Sequence, residues 1–199
     1  MKKLYLFTIL AIIAITIFAF PTIASPEATG LILLGIGVTP IFSGSPIGLG
    51  QQPENYINQM IRSGKTGETI NFGYGVGINV AGEVMTADET IAQPFVGIAC
   101  ASKDASDIEN DRYLAQDPIG YLHTGILNVH CEEAAGETDT VRIRLENHAV
   151  DTTKLKGMFC KTADAGKTAV INGAKFRNTT TASGTISIFL PDSISLTND

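Results

Sequence analysis

Val141-Arg142-Ile143-Arg144-Leu145-Glu146 alternates apolar and charged residues without a break. Successive side chains of a strand point to opposite faces. Three apolar groups therefore face a core and three charges face away. The same period of two runs through Leu127-Asn128-Val129-His130-Cys131-Glu132 and puts Ile186, Ile188 and Leu190 on one face before Pro191. Val76-Gly77-Ile78-Asn79-Val80 carries its branched residues on one side; Ala81-Gly82 then offers a turn and Glu83 to Thr86 a return strand. Pro94 to Ala101 is nearly continuous in apolar residues, the pattern of a strand buried on both faces. Turn residues separate these runs at the spacing of an all-β sandwich or barrel. Only Glu54 to Ile61 has helix-like spacing, through Tyr56, Ile57, Met60 and Ile61. The acidic stretch Asp104 to Asp111 and the threonine-rich stretch Asn178 to Ser183 read as exposed loops.

Upstream the chain changes character. Lys2 and Lys3 precede an apolar run from Leu4 to Phe20, then Pro21 and the small-residue pattern Thr22-Ile23-Ala24-Ser25. That is the order of an export signal with a cut after Ala24. Residues 25–50 hold one charge, Glu27, and are punctuated by glycine and proline. Leu31 to Phe42 is too apolar for a free linker in water. The expected organisation is a signal-like segment over 1–24, an extended arm over 25–50 and a single β domain over 51–199.

The 199 residues suit one domain. With 14 basic and 20 acidic residues the net charge is −6. That balance gives no broad electrostatic grip on nucleic acid or an anionic membrane. Cys100, Cys131 and Cys160 are three, so one internal bridge would leave a thiol over. They read as reduced core residues.

Motifs of chemistry fail on spacing. Gly64-Lys65-Thr66 and Gly166-Lys167-Thr168 end like phosphate loops, but Gln59 and Lys161 stand where the first glycine is needed. Both lysines read as turn residues. Gly73-Tyr74-Gly75-Val76-Gly77 lacks the third glycine and following helix of a dinucleotide fingerprint. Its glycines mark close backbone approach or bending instead. His123, His130, Cys131 and His148 match no structural zinc spacing, and His130 and Cys131 point to opposite faces of a strand. The acidic loop Asp104, Asp107, Glu109 and Asp111 lacks the glycine and terminal glutamate of a calcium loop. No serine sits in a nucleophile turn. The expectation is no catalytic residue, no metal, no cofactor and no small-molecule substrate.

From about Gln52 to Pro191 the chain resembles the structural cement, or head-decoration, proteins of tailed bacteriophages. The resemblance is carried in order by Pro53-Glu54-Asn55-Tyr56, Ser63 to Ile70, Phe72 to Val76, Gln93 to Ala99, Gly125 to Val129, Lys156 to Lys161, Gly173 to Phe176 and Ser183 to Leu190. It implies a compact β-barrel-like domain that binds assembled capsid protein and reinforces the shell, located in the virion. Its partners would be the major capsid protein or copies of itself, as a homo-oligomer or symmetric assembly. The candidate contacts are Leu31, Ile32, Leu33, Leu34, Ile36, Val38, Ile41 and Phe42 of the arm, with Tyr56 and Met60. The export-like start departs from that family. It keeps a second reading open, a secreted or surface-anchored structural protein of a filament, surface layer or adhesin. A secreted enzyme of unrecognised type is a third.

Overall fold

A computed structural model of the chain describes residues 48–51 and 59–199. Among them there are twelve strands, one turn of 3-10 helix at Ile108–Asn110 and no α-helix. The chain is all-β and built on a closed barrel.

One strand organises it. β7 (Pro118–Cys131) is 14 residues long. Its second half joins a ring with β11 (Gly184–Leu190), β10 (Thr168–Phe176), β8 (Thr140–Arg144) and β9 (Phe159–Cys160). The pairings β7–β11, β11–β10, β10–β8, β8–β9 and β9–β7 close it. Ring closure leaves no edge to pair with a stray chain. Its first half lies in a second sheet with β1 (Met60–Lys65), β5 (Gln93–Ala99), β3 (Gly75–Ile78) and β4 (Val84–Thr86). A parallel bridge between Thr66 and Val84 brings the two ends of that sheet together just past β1. A short ribbon of β2 (Ile70–Asn71) and β6 (Arg112–Tyr113) stands apart from that sheet, and β12 (Leu196–Asn198) lies on β10.

The two sheets enclose two cores. Leu127, Val129, Cys131, Val141, Ile143, Phe159, Ile186 and Ile188 fill the ring. Ile70, Phe72, Val76, Val84, Tyr113, Ile119 and Tyr121 fill the second. Burial of such side chains contributes about 1.5–3 kcal/mol each before chain entropy is counted. β7 serves both cores by changing its facing. Ile119 and Tyr121 look into the second core, whereas Leu122 looks into the first, as alternation requires. Leu127 should then face away from Leu122, yet it lies in the same core. The register slips against β1 between Met60 and Ile61, and Gly125 takes φ 126°. A bulge at this point re-aims every later side chain.

The apolar faces of Val141–Leu145 and Ile186–Leu190 are present as read. Three expectations are corrected. Met60 and Ile61 belong to β1, not to a helix; the rest of that helix-like spacing, Glu54 to Asn58, lies outside the described residues. The strand at Val76 ends at Ile78, because Asn79 Oδ1 accepts the N–H groups of Ala81 and Glu83 and folds the chain back. Val80 therefore sits on the turn, 94% exposed, rather than on the apolar face. Lys65 is a strand residue, while Lys167 does lie in a turn. Leu49 and Gly50, on the arm side of the expected boundary, are already fastened: Leu49 packs on the second core, and Gly50 donates to the Asn128 carbonyl and accepts from Ala101 N–H.

The glycines of the second sheet do mark close approach. A Cβ on Gly97 would strike the Leu122 carbonyl of β7, and one on Gly77 the Gln93 carbonyl of β5. Gly97→Val should therefore cost about 2 kcal/mol or more, since strand backbones cannot yield as a flexible side chain can. Gly120→Ala, whose Cβ would meet only the Ile61 side chain at 3.6 Å, should be tolerated. Urea unfolding of the two variants beside the parent checks the contrast.

Candidate functional site

The strands hold three polar or exposed groupings that the sequence does not announce. The first is the outer face of β8. Arg144 was expected to face solvent with Arg142 and Glu146. It is 3% exposed, with Glu132 against it and Asp164 across. Arg144 Nε donates to Glu132 Oε1, Nη2 to Glu132 Oε2 at 3.1 Å and Nη1 to Asp164 Oδ2 at 2.8 Å. The fork of Arg144 is thus bidentate on one carboxylate, the strong geometry for such a pair. Burial works to lower the Arg144 pKa, but the hydrogen bonds it donates to Glu132 and Asp164 outweigh it and hold the charge on. The same hydrogen bond from Arg144 keeps Asp164 below the usual carboxylate range. A recess of about 230 Å³ opens beside them, between Glu133, His148, Lys154 and Thr162.

The second is a knot under the acidic loop. Asp117 Oδ1 accepts the Ser106 hydroxyl, and Oδ2 accepts the N–H groups of Ser106 at 2.9 Å and Leu114 at 2.8 Å. Thr66 donates its N–H to the Asp117 carbonyl and its hydroxyl to the Leu114 carbonyl. These hydrogen bonds, the Ser106 hydroxyl first, hold the Asp117 pKa down. Asp107 of the same loop turns to Asn110 and Arg112, which lower its pKa too. The Asp107 and Asp117 carboxylates thus fix the shape of the loop. Among the described residues no group of three or more His, Cys, Asp or Glu side chains could hold a metal ion.

The histidines have separate duties. His123 Nδ1 lies 2.8 Å from the Val96 carbonyl, His130 reaches Ser183, and His148 Nδ1 accepts from the N–H groups of Val150 and Asp151. The three thiols are free and buried. Burial pushes Cys100 up to about 12 and Cys131 up to about 11, and raises Cys160 too. None is a thiolate at neutral pH. The larger recess, about 340 Å³, is crossed by an ion pair: Lys156 reaches Asp88 at 3.2 Å and Glu68 at 3.8 Å.

The third grouping is exposed apolar surface. Met60, half exposed on β1 with Ile61 beside it, is the one candidate contact that the structure describes. Leu31, Ile32, Leu33, Leu34, Ile36, Val38, Ile41, Phe42 and Tyr56 lie outside the described residues. Val80 and Val150 add apolar loop tips that pattern reading missed. The available signal for Val80 was its place between Asn79 and Ala81-Gly82, a turn with an apolar crown.

A body of strands whose polar groups brace its own loops has the form of a structural part. The family model described as structural cement protein (E217 gp24/Pam3 gp6) matches residues 47–190. The chain belongs to the phage structural cement protein family. A chain of the solved capsid of Myoviridae phage XM1 has a similar fold, with TM-score 0.54 at 15% identity over 72% of this chain and 89% of that one. No curated protein matches the sequence. The matched region of this cement protein starts before Gly50, in keeping with the docked turn at Leu49–Gln51. Family membership gives it a structural role in the virion.

Two outcomes test the bracing. Arg144→Met strands the buried Glu132 carboxylate and should cost about 3 kcal/mol or more, whereas Arg144→Met with Glu132→Leu should recover most of it. Thermal melts of the single and double variants measure this. Asp107, Asp117 and Asp164 all have folded pKa values below 3.8. Their stabilisation is complete above the unfolded value near 4 and is lost as pH falls through the lower folded values. The melting temperature should hold from pH 7 to 5 and drop below pH 4. Asp117→Asn should melt lower at pH 7 and lose less on acidification.

Proposed function

We propose that this cement protein binds the assembled shell of major capsid protein and reinforces it, with no reaction catalysed. The observation that carries the reading is the family match across the barrel and the second sheet together. The apolar residues between Leu31 and Phe42, with Tyr56 and Met60, are its proposed contacts. Each contact is small, but a shell repeats it by symmetry, and repeated weak contacts add through effective concentration. A rigid, edge-free ring suits that duty, because little ordering entropy is lost when it docks.

The test uses shells assembled without the protein. Purified full-length chain should co-sediment with them, saturate at a fixed ratio to capsid protein and raise the temperature at which they break open. Deleting residues 26–47, which spares the docked turn, should leave the barrel melting unchanged and weaken shell binding at least tenfold. Shells that ignore the chain would overturn the reading.

The signal-like order of residues 1–24 favours the secreted or surface-anchored alternative. The intact mass of the native protein separates the two. A chain beginning at Ser25 supports export; an intact Met1, or a start further along, supports assembly inside the cell.

A further inference from the structure

β1 is an edge strand whose free side can be worked out residue by residue. It runs antiparallel to β7 with Gly64 opposite Ile119 and Lys65 opposite Pro118. Pro118 has no N–H, and Thr66 N–H bonds to the Asp117 carbonyl at 3.0 Å. Lys65 and Pro118 therefore form the pair that shares no hydrogen bond, and the bonded pairs are Gly64 with Ile119 and Arg62 with Tyr121. By alternation Ile61, Ser63 and Lys65 turn their N–H and C=O groups away from β7. Among the described residues nothing pairs with that side at Ile61 and Ser63, whereas from Lys65 on it is closed by Val84 of β4, which bridges Thr66 and accepts Gly67 N–H. The edge is guarded by Arg62 and Lys65 and by the bulge at Met60–Ile61, but it holds no proline, is six residues long, and leaves Met60 and Ile61 49% and 51% exposed.

The chain also carries a segment fit to cover it. Leu34-Gly35-Ile36-Gly37-Val38-Thr39 alternates large apolar residues with small ones over six positions and stops at Pro40. It has no charge, which suits a strand laid against Met60 and Ile61. We infer that residues 34–39 of a second copy add a strand to the outer edge of β1, by backbone pairing to Ile61 and Ser63. The choice of a second copy rests on the cement reading: a strand supplied by a neighbour ties subunits together over the shell, whereas one supplied within the chain ties nothing. Each subunit has one donor segment and one acceptor edge, so the contact is head-to-tail and closes into rings or runs on in chains.

The experiment uses the purified full-length chain without shells, so its result is independent of capsid binding. Ser63→Pro removes an outward N–H and leaves the β7 ladder intact, as proline is tolerated on that side of an edge strand. Ile36→Pro disables the donor. Light scattering should give a mass above one chain for the parent and a single-chain mass for both variants, with melting of the barrel unchanged. Hydrogen exchange at Ile61 and Ser63 should be at least tenfold faster in Ile36→Pro than in the parent. A single-chain parent overturns the inference, even with those amides protected, because its own segment would then fill the edge. Association that survives both prolines overturns it as well. Should Ser63→Pro unfold the chain, the Ile36→Pro variant, altered outside the barrel, decides alone.

Discussion

A strand can serve two cores only if it changes its facing on the way, and the fold depends on β7 doing so. The change is confined to the bulge opposite Met60–Ile61 and to Gly125 at φ 126°. Before it, Ile119 and Tyr121 look into the core beneath β2 and β6; beyond it, Leu127, Val129 and Cys131 look into the ring. A Cβ at Gly125 would lie 2.8 Å from Gln59 Cγ, so the chain entering β1 crosses where only glycine leaves room. The joint between the two sheets is thus covalent and continuous. No hinge loop separates them.

Around this spine the polar side chains brace loops. The Arg144–Glu132–Asp164 group ties β8 to the end of β7 and to the turn before β10. Asp117 ties the acidic loop to the end of β1 through Thr66. Their hydrogen bonds specify one arrangement of the loops over the barrel ends.

The strands with clean alternation were legible in the sequence. Val141 to Leu145 and Ile186 to Leu190 face the core as their period dictates. The first half of β7 was not, because Gly120 and Gly125 interrupt the pattern and the bulge inverts it. β10 was hidden by Asn172-Gly173, a dipeptide that reads as a hairpin turn. Here Gly173, at φ 79°, is a corner inside a continuing strand, with β12 paired before it and β11 after. The burial of Arg144 had no local signal, since it depends on Glu132 and Asp164 coming from distant segments. Of the candidate contacts only Met60 could be placed, and its pattern neighbours misled: a spacing of three and four residues, in a short stretch, belonged to an edge strand.

The continuity of β7 has a mechanical consequence. A pull along a strand is carried by the ladders on either side of it. Antiparallel hydrogen bonds lie across the strands. Tension along β7 would load its ladders with β1, β5 and β11 all together, as a lap joint is loaded, and none could open first like a zipper. A body assembled from two separately folded halves would have yielded at its linker. Here a single uninterrupted strand of 14 residues joins the two sheets.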